Sequence, residues 1–261
     1  MKNICVITGA SSGIGKEFFT QITHDASLKF DEIWVIARTR EKLESLSSLT
    51  DIPVKAVSLD LSLDTAYEEY RALLEAEKPN VTLLVNCSGF GKFESVENIG
   101  YSDNMNMIDL NVKATAALDM ITLEYMSKGS GIINIASVAA YQPIPYIATY
   151  GATKAFVLSF TRALAMEVKK RGIHVMAVCP FWTKTAFFDR AINAEEDPVV
   201  KKYAAMYDPR DIVRRALKDY KKGKEVSLFG FATKLQLLGV KLLPAWLIMR
   251  IWMAQQKLFE R

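Results

Sequence analysis

What the chain lacks narrows its identity first. Three cysteines, Cys5, Cys87 and Cys179, have no zinc-ligand spacing, so no metal site is expected. Each lies at or just after an apolar run that reads as a strand. An odd number of such strand-buried thiols argues for a reducing compartment. No charged-then-apolar leader precedes the first strand, which makes a cytoplasmic location the expectation. No block of one-signed charge exists: 33 basic residues face 29 acidic ones, for a net charge of +4. The densest basic pairs, such as Lys201-Lys202 and Arg214-Arg215, read as solvated helix faces, and no nucleic-acid partner is expected. Nor does a repeat, low-complexity tract or linker divide the chain. With half of its 261 residues apolar, it can bury the core of one large domain spanning residues 1–261.

Short apolar runs at residues 4–7, 33–37, 54–59, 81–85, 132–136, 175–178 and 226–229 read as buried strands. Helical stretches separate them, near residues 16–23, 65–77, 102–127 and 150–171. A further helix opens at Asp208-Pro209, a capping carboxylate followed by a proline in the first turn. This alternation predicts an α/β fold: a single Rossmann-type doubly wound parallel sheet of about seven strands flanked by helices.

Three places carry chemistry. Thr8 to Gly15 joins the first strand to the first helix with glycines at Gly9, Gly13 and Gly15. A glycine-rich turn opening onto a helix N-terminus suits a dinucleotide pyrophosphate, because bare backbone N–H groups there face the anion. After the second strand stand Arg38 and Arg40, where a guanidinium suits the 2′-phosphate of NADP. Asp31 and Glu32 sit at the other end of that strand. Tyr150 and Lys154 are one helical turn apart on one face, and an ammonium beside a phenol lowers its pKa and makes it a usable acid or base.

Together these motifs resemble the short-chain dehydrogenase/reductase family over residues 1 to about 229. Thr8 to Gly15 matches its cofactor loop, Asp60-Leu61 its adenine-side pair, and Asn86, Cys87, Ser88 and Gly89 in part its Asn-Asn-Ala-Gly turn. Asn111, Ser137, Tyr150 and Lys154 match its catalytic tetrad in order and spacing. The resemblance implies cofactor contacts from Gly9, Ser11, Ser12, Gly13, Ile14, Gly15, Arg38, Arg40, Asp60, Leu61, Asn86, Cys87, Ser88, Gly89, Tyr150, Lys154, Pro180, Thr183 and Thr185. Phe181 departs from the family pattern, which has glycine after Pro180. The implied activity is NADP(H)-dependent, rather than NAD(H)-dependent, interconversion of an alcohol and a ketone. Tyr150 would exchange the proton, Lys154 lower its pKa and bind ribose hydroxyls, Ser137 hold the substrate oxygen and Asn111 hold a water. His24 and His174 lie outside this set and read as structural. The family also implies a homodimer or homotetramer.

Residues 181–208 begin with Phe181, Trp182, Phe187 and Phe188 and read as a substrate loop or lid. Residues 233–261 form an apolar C-terminal extension rich in leucine and tryptophan, interrupted by Gly239, Lys241, Pro244 and Arg250. It is too interrupted to span a bilayer. It fits a core or dimer contact, a wall of an apolar substrate site, or a basic amphipathic segment in peripheral contact with a membrane. These features favour a small hydrophobic alcohol or ketone, and the C-terminal Leu-Leu-Pro-x-Trp-Leu run resembles lipid- and steroid-directed branches of the family, which implies a substrate of hydroxysteroid or bile-acid type. The alternatives are a fatty-acyl or other lipid carbonyl and, without catalysis, a nucleotide-binding regulator.

Overall fold

The structure, a computed structural model, describes residues 1–191, 198–203 and 205–259. Its strands are β1 (Asn3–Thr8), β2 (Glu32–Ala37), β3 (Val54–Ser58), β4 (Asn80–Asn86), β5 (Gly131–Ile135), β6 (His174–Val178) and β7 (Val226–Ser227). They form one seven-stranded sheet in the order β3-β2-β1-β4-β5-β6-β7, every pair parallel. The helices are α1 (Gly13–Thr23), α2 (Arg40–Glu44), α3 (Thr65–Glu77), α4 (Val96–Ile99), α5 (Tyr101–Ile108), α6 (Ala114–Leu123), α7 (Ala148–Glu167), α8 (Phe187–Ala191), α9 (Pro209–Lys221), α10 (Phe231–Leu242) and α11 (Ala245–Gln256). The predicted doubly wound architecture is the observed one.

Parallel strands covered on both faces need apolar residues on both, and alternate β1 side chains supply two cores. Ile4 and Val6 pack with Tyr70 and Leu74 of α3, Leu118 of α6 and Leu164 of α7. Cys5 and Ile7 pack on the other face with Phe18, Phe19 and Ile22 of α1 and Val213 and Leu217 of α9. The chain reverses its winding between β1 and β4. That switch point opens a crevice at the carboxyl ends of β1, β4, β5 and β6.

Two elements depart from the sequence reading. The stretch read as one helix over residues 102–127 is α5 and α6 joined by a π-helical turn, Asp109–Lys113, with Asn111 at its centre. β7 stops at Ser227 instead of reaching residue 229. Of the segment 181–208, the described part holds α8 and a short ladder that ties its ends together. Tyr207 N–H donates to the Trp182 carbonyl at 2.8 Å, and Lys184 N–H to the Tyr207 carbonyl at 2.9 Å. Residues 192–197 and 204 of that predicted lid lie outside the described residues, as do 260–261 of the C-terminal extension.

The extension folds back over the sheet's carboxyl edge. Trp252 Nε1 donates to the Pro145 carbonyl at 3.0 Å, just before α7. Gln256 Oε1 accepts from the backbone N–H groups of Lys201 and Lys202, and its Nε2 donates to the Lys202 carbonyl. One face of α11 therefore straps the described end of the 181–208 segment and the approach to α7. Among the described residues, no helix is long and apolar enough to cross a membrane.

Candidate active site

The crevice is a cavity of about 790 Å³. At one end it is built by the β1–α1 turn. A Cβ on Gly15 would lie 2.3 Å from the Gly9 carbonyl oxygen, so only glycine lets α1 start this close to the strand. Ser12 caps α1 without a side-chain hydrogen bond, and no acidic residue stands in the first turn. The N-terminal partial charge thus meets no anionic side chain in its own first turn. Thr8 Oγ1 accepts from the backbone N–H groups of Cys87 and Ser88 at 3.0 and 3.1 Å, fixing the loop after β4 beside that turn. Gly9, Ser11, Ser12, Gly13, Ile14, Gly15, Cys87, Ser88 and Gly89 all line the cavity.

Beyond β2, Arg38, Thr39 and Lys42 line it as well. Arg40 does not: its Nε donates to Glu44 Oε1 at 2.8 Å on the exposed side of α2. The sequence singled out both arginines because α2, which turns the second one away, was not recognised. Lys42 was missed for the same reason. Asp60 and Leu61 follow β3 at the rim. Asp60 Oδ1 accepts from the N–H and hydroxyl of Ser62, which locks the turn.

Asn86 corrects another expectation. It lies inside the sheet rather than on the cavity wall, where its Nδ2 donates to Asp119 Oδ1 at 2.7 Å and to Asn134 Oδ1 at 3.0 Å. Asn134 Nδ2 donates to the other Asp119 oxygen at 2.6 Å. Burial of Asp119 outweighs these two bonds and raises its carboxyl to about 7.

At the other end of the cavity, β5 delivers Ser137 and α7 delivers Tyr150 and Lys154. The Ser137 hydroxyl oxygen accepts from Ala139 N–H at 3.1 Å, and the hydroxyl stands near enough to the Tyr150 phenol to lower its pKa. Lys154 Nζ donates to the Ile135 carbonyl at 2.7 Å and stands 5.8 Å from the Tyr150 ring centroid. Burial governs both groups. The phenol is pushed up to about 12 even though Ser137 pulls it down, and the ammonium is pushed down to about 8. Desolvation therefore opposes the lowering of the phenol's pKa expected from the Tyr–Lys spacing.

Asn111 is buried in the π turn. Its Oδ1 accepts from Phe90 N–H at 3.0 Å, while its Nδ2 donates to the Phe90 carbonyl and to Thr153 Oγ1. A Cβ at Gly89 would come within 2.8 Å of Asn111 Oδ1 and 3.5 Å of Lys154 Nζ, so glycine is what lets the three converge. Asn111 clamps the loop after β4 against α7 from behind the wall, and its side chain is not among the cavity residues. Pro180, Thr183 and Thr185 line the cavity after β6, with Thr183 Oγ1 donating to the Phe181 carbonyl at 2.8 Å.

An aromatic wall rises over Tyr150. Phe93 and Phe187 lie 6.0 and 5.6 Å from its ring, and Trp182 packs on Phe93, Phe188 and Trp252. Trp182, Phe187 and Phe188 follow the aromatic start of the predicted lid. Phe93 was missed, because it sits in an irregular loop with no periodic signal. Gln142 was missed too: it lines the cavity, and its Oε1 is buried with no hydrogen-bond partner.

Comparison with known proteins agrees with this geometry. The family model described as short chain dehydrogenase matches residues 3–196. The very-long-chain 3-oxoacyl-CoA reductase-B of Danio rerio is 32% identical over 189 residues, which cover 69% of this chain and 59% of that protein. The 17-beta-hydroxysteroid dehydrogenase type 3 of Mus musculus is 31% identical over 188 residues, covering 69% and 60%. This chain thus spans about three fifths of the length of those two relatives. A short-chain dehydrogenase from Sphingobium yanoikuyae in complex with NADPH superposes with a TM-score of 0.75 at 25% identity, covering 92% of this chain and 93% of that one. The chain belongs to the short-chain dehydrogenase family, oxidoreductases that work with nicotinamide cofactors.

Proposed function

We propose that this protein is an NADP(H)-dependent oxidoreductase that interconverts a hydrophobic secondary alcohol and its ketone, of hydroxysteroid or bile-acid type. One observation carries the reading: Tyr150, beside Ser137 and one turn from Lys154, stands under an aromatic wall at the floor of a cavity whose far end is a glycine-built helix N-terminus. That end fits a dinucleotide. The uncapped start of α1 and the N–H groups around Gly13 and Ile14 would hold the pyrophosphate. Arg38 with Lys42 would hold a 2′-phosphate, and Asp60 with Leu61 would border the adenine. No carboxylate follows β2 on the cavity wall to select a free ribose hydroxyl instead.

A nicotinamide bound there would supply or take the hydride at the substrate carbon. The protein manages the proton. In reduction, Ser137 donates a hydrogen bond to the carbonyl oxygen, and Tyr150 Oη transfers its proton to that oxygen as negative charge develops there. A phenol held near 12 is fully protonated at neutral pH and ready to donate. Lys154, with its Nζ 5.8 Å from the ring centroid, would stabilise the phenolate left behind, and its contact with the Ile135 carbonyl holds the ammonium there. Asn111 positions Gly89 and the helix bearing Tyr150 by holding Phe90 and Thr153. In oxidation the same groups act in reverse.

The wall of Phe93, Trp182, Phe187, Phe188 and Trp252 suits a bulky apolar skeleton. Gln142 adds a polar demand: its carbonyl is buried without a donor, which is costly, and a turn of the amide toward the cavity it borders would let a hydroxyl on the substrate satisfy it. That second polar point favours a hydroxylated ring ketone over a fatty-acyl chain. NADPH consumption by the purified protein, with NADH in parallel, tests the proposal against keto-steroids, keto-bile acids, β-ketoacyl thioesters and small aldehydes. Fast NADPH-dependent turnover of a ring ketone is the expected result. Turnover confined to the thioesters would overturn the substrate class, and turnover with NADH alone the cofactor preference.

A further inference from the structure

The two C-terminal helices leave an apolar face uncovered. On α10, Thr233 and Leu237 point into the protein, while Phe231, Leu235, Leu238 and Leu242 are 80%, 58%, 53% and 73% exposed. At 100° per residue those four fall within a narrow stripe opposite the buried side, so this helix carries apolar side chains outward. Trp246 of α11 adds an indole that is 57% exposed. A contiguous apolar surface of this kind marks a contact, not a solvated helix.

Charge says with what. From Val226 to Phe259 the sequence contains no aspartate or glutamate, but it contains Lys234, Lys241, Arg250 and Lys257, all of them exposed. Lys234 and Lys241 run along one flank of the α10 stripe. An outward apolar stripe edged by lysines, with a tryptophan at its end, complements an anionic lipid interface: acyl chains for the leucines, headgroups for the ammonium groups and the indole. It complements a second copy of itself poorly, because like charges would face each other across the contact.

The same helices wall the cavity. Leu235, Leu243 and Ile251 are exposed and also line it, so the apolar surface reaches into the site through these three side chains. We infer that the α10–α11 face docks on an anionic lipid bilayer and that an apolar substrate passes from the bilayer into the cavity along Leu235, Leu243 and Ile251. The passage rests on the function proposed above; the docking does not.

Sedimentation with phosphatidylcholine vesicles, with and without phosphatidylserine and in the absence of cofactor and substrate, tests the docking apart from any activity. The wild-type protein should sediment with phosphatidylserine vesicles at low salt, and less at high salt. Lys234→Gln/Lys241→Gln should weaken that binding about 25-fold, at about fivefold per charge. Leu238→Glu/Leu242→Glu should abolish it; neither leucine lines the cavity, and both are exposed. A wild-type protein that stays in the supernatant would overturn the inference, as would leucine or lysine variants that sediment like wild type. So would a wild-type oligomer that the leucine variant splits, which would give the face to a second copy. For the passage, turnover of a ring ketone held in those vesicles should fall in the leucine variant while turnover of a soluble ketone does not. An equal fall with both would refute it.

Discussion

Arg38 and Arg40 look equivalent in sequence and are not equivalent in space, which turns cofactor selection into a sharp experiment. Arg38 is exposed at the cavity rim with Lys42, whereas Arg40 is held by Glu44 away from it. A guanidinium bonding a phosphate makes a charge-assisted contact worth about 1.5–3 kcal/mol, and the solvent around an exposed group favours the low end. Arg38→Ala should therefore weaken NADPH binding about tenfold and leave NADH binding, which lacks the 2′-phosphate, within about twofold. Arg38→Asp should go further: its carboxylate repels the phosphate and accepts from a free ribose hydroxyl, so the NADPH/NADH affinity ratio should drop by about 10²-fold or more. Arg40→Ala should leave the ratio unchanged, because only the ion pair with Glu44 is lost. Fluorescence titration of each variant with NADPH and NADH measures the ratios without any substrate. An Arg38→Asp protein that keeps the wild-type ratio, or an Arg40→Ala protein that loses it, would refute the placement of the 2′-phosphate.

Three further outcomes follow from the other end of the cavity and from the sheet. Tyr150→Phe keeps the ring packed on Phe93 and Phe187 but removes the proton carrier, so kcat should fall about 10²–10⁴-fold with NADPH affinity preserved; comparable turnover would remove Tyr150 from the chemistry. Gln142→Leu removes the unpartnered acceptor, so KM for a hydroxylated ring ketone should rise about tenfold while that for the same ring without the hydroxyl stays flat; equal changes would deny a contact. Asp119, raised to about 7 in the fold against an ordinary 3.8, binds a proton there that the unfolded chain has released between those pH values. Its contribution is full below pH 3.8 and is lost as pH rises through 7, at about 1.4 kcal/mol per unit, so between pH 5 and 7 the wild-type protein should lose about 2 kcal/mol more stability than Asp119→Asn in urea unfolding. Parallel stability profiles would mean that the carboxyl titrates normally.

The readable parts of the chain were those where local sequence and global fold make the same demand. Strands covered on both faces must be largely apolar runs, and all seven appeared within two residues of their places. The glycine loop was legible because the approach of Gly15 to the Gly9 carbonyl admits no side chain. Ser137, Tyr150 and Lys154 were legible through motif spacing, and the fold brings them together. What stayed hidden depended on direction. Arg38 and Arg40 diverge because α2 starts between them, and five residues are too few to show a helical period. Asn86 and Cys87 are neighbours, but the alternation of β4 sends the amide into the sheet toward Asp119 while the next residues reach the cavity. Phe93 and Gln142 come from irregular segments, where only the packed structure says which way a side chain faces.

The acidity of Tyr150 shows the same limit in energetic form. The spacing of tyrosine and lysine one turn apart implied attraction between an ammonium and a phenolate, hence a lower phenol pKa. Spacing carries no information about solvent, and burial pushes the two groups in opposite directions, the phenol to about 12 and the ammonium to about 8. Two groups displaced this way are both biased toward their neutral forms, so the enclosed site resists separating charge between them. Proton transfer from Tyr150 to a substrate oxygen becomes favourable only as that oxygen gains negative charge, which ties the proton to the hydride instead of letting it leave beforehand. The aromatic wall that encloses the phenol thus does two jobs with one set of side chains. It accommodates the apolar skeleton and keeps the acid protonated until the substrate calls for it.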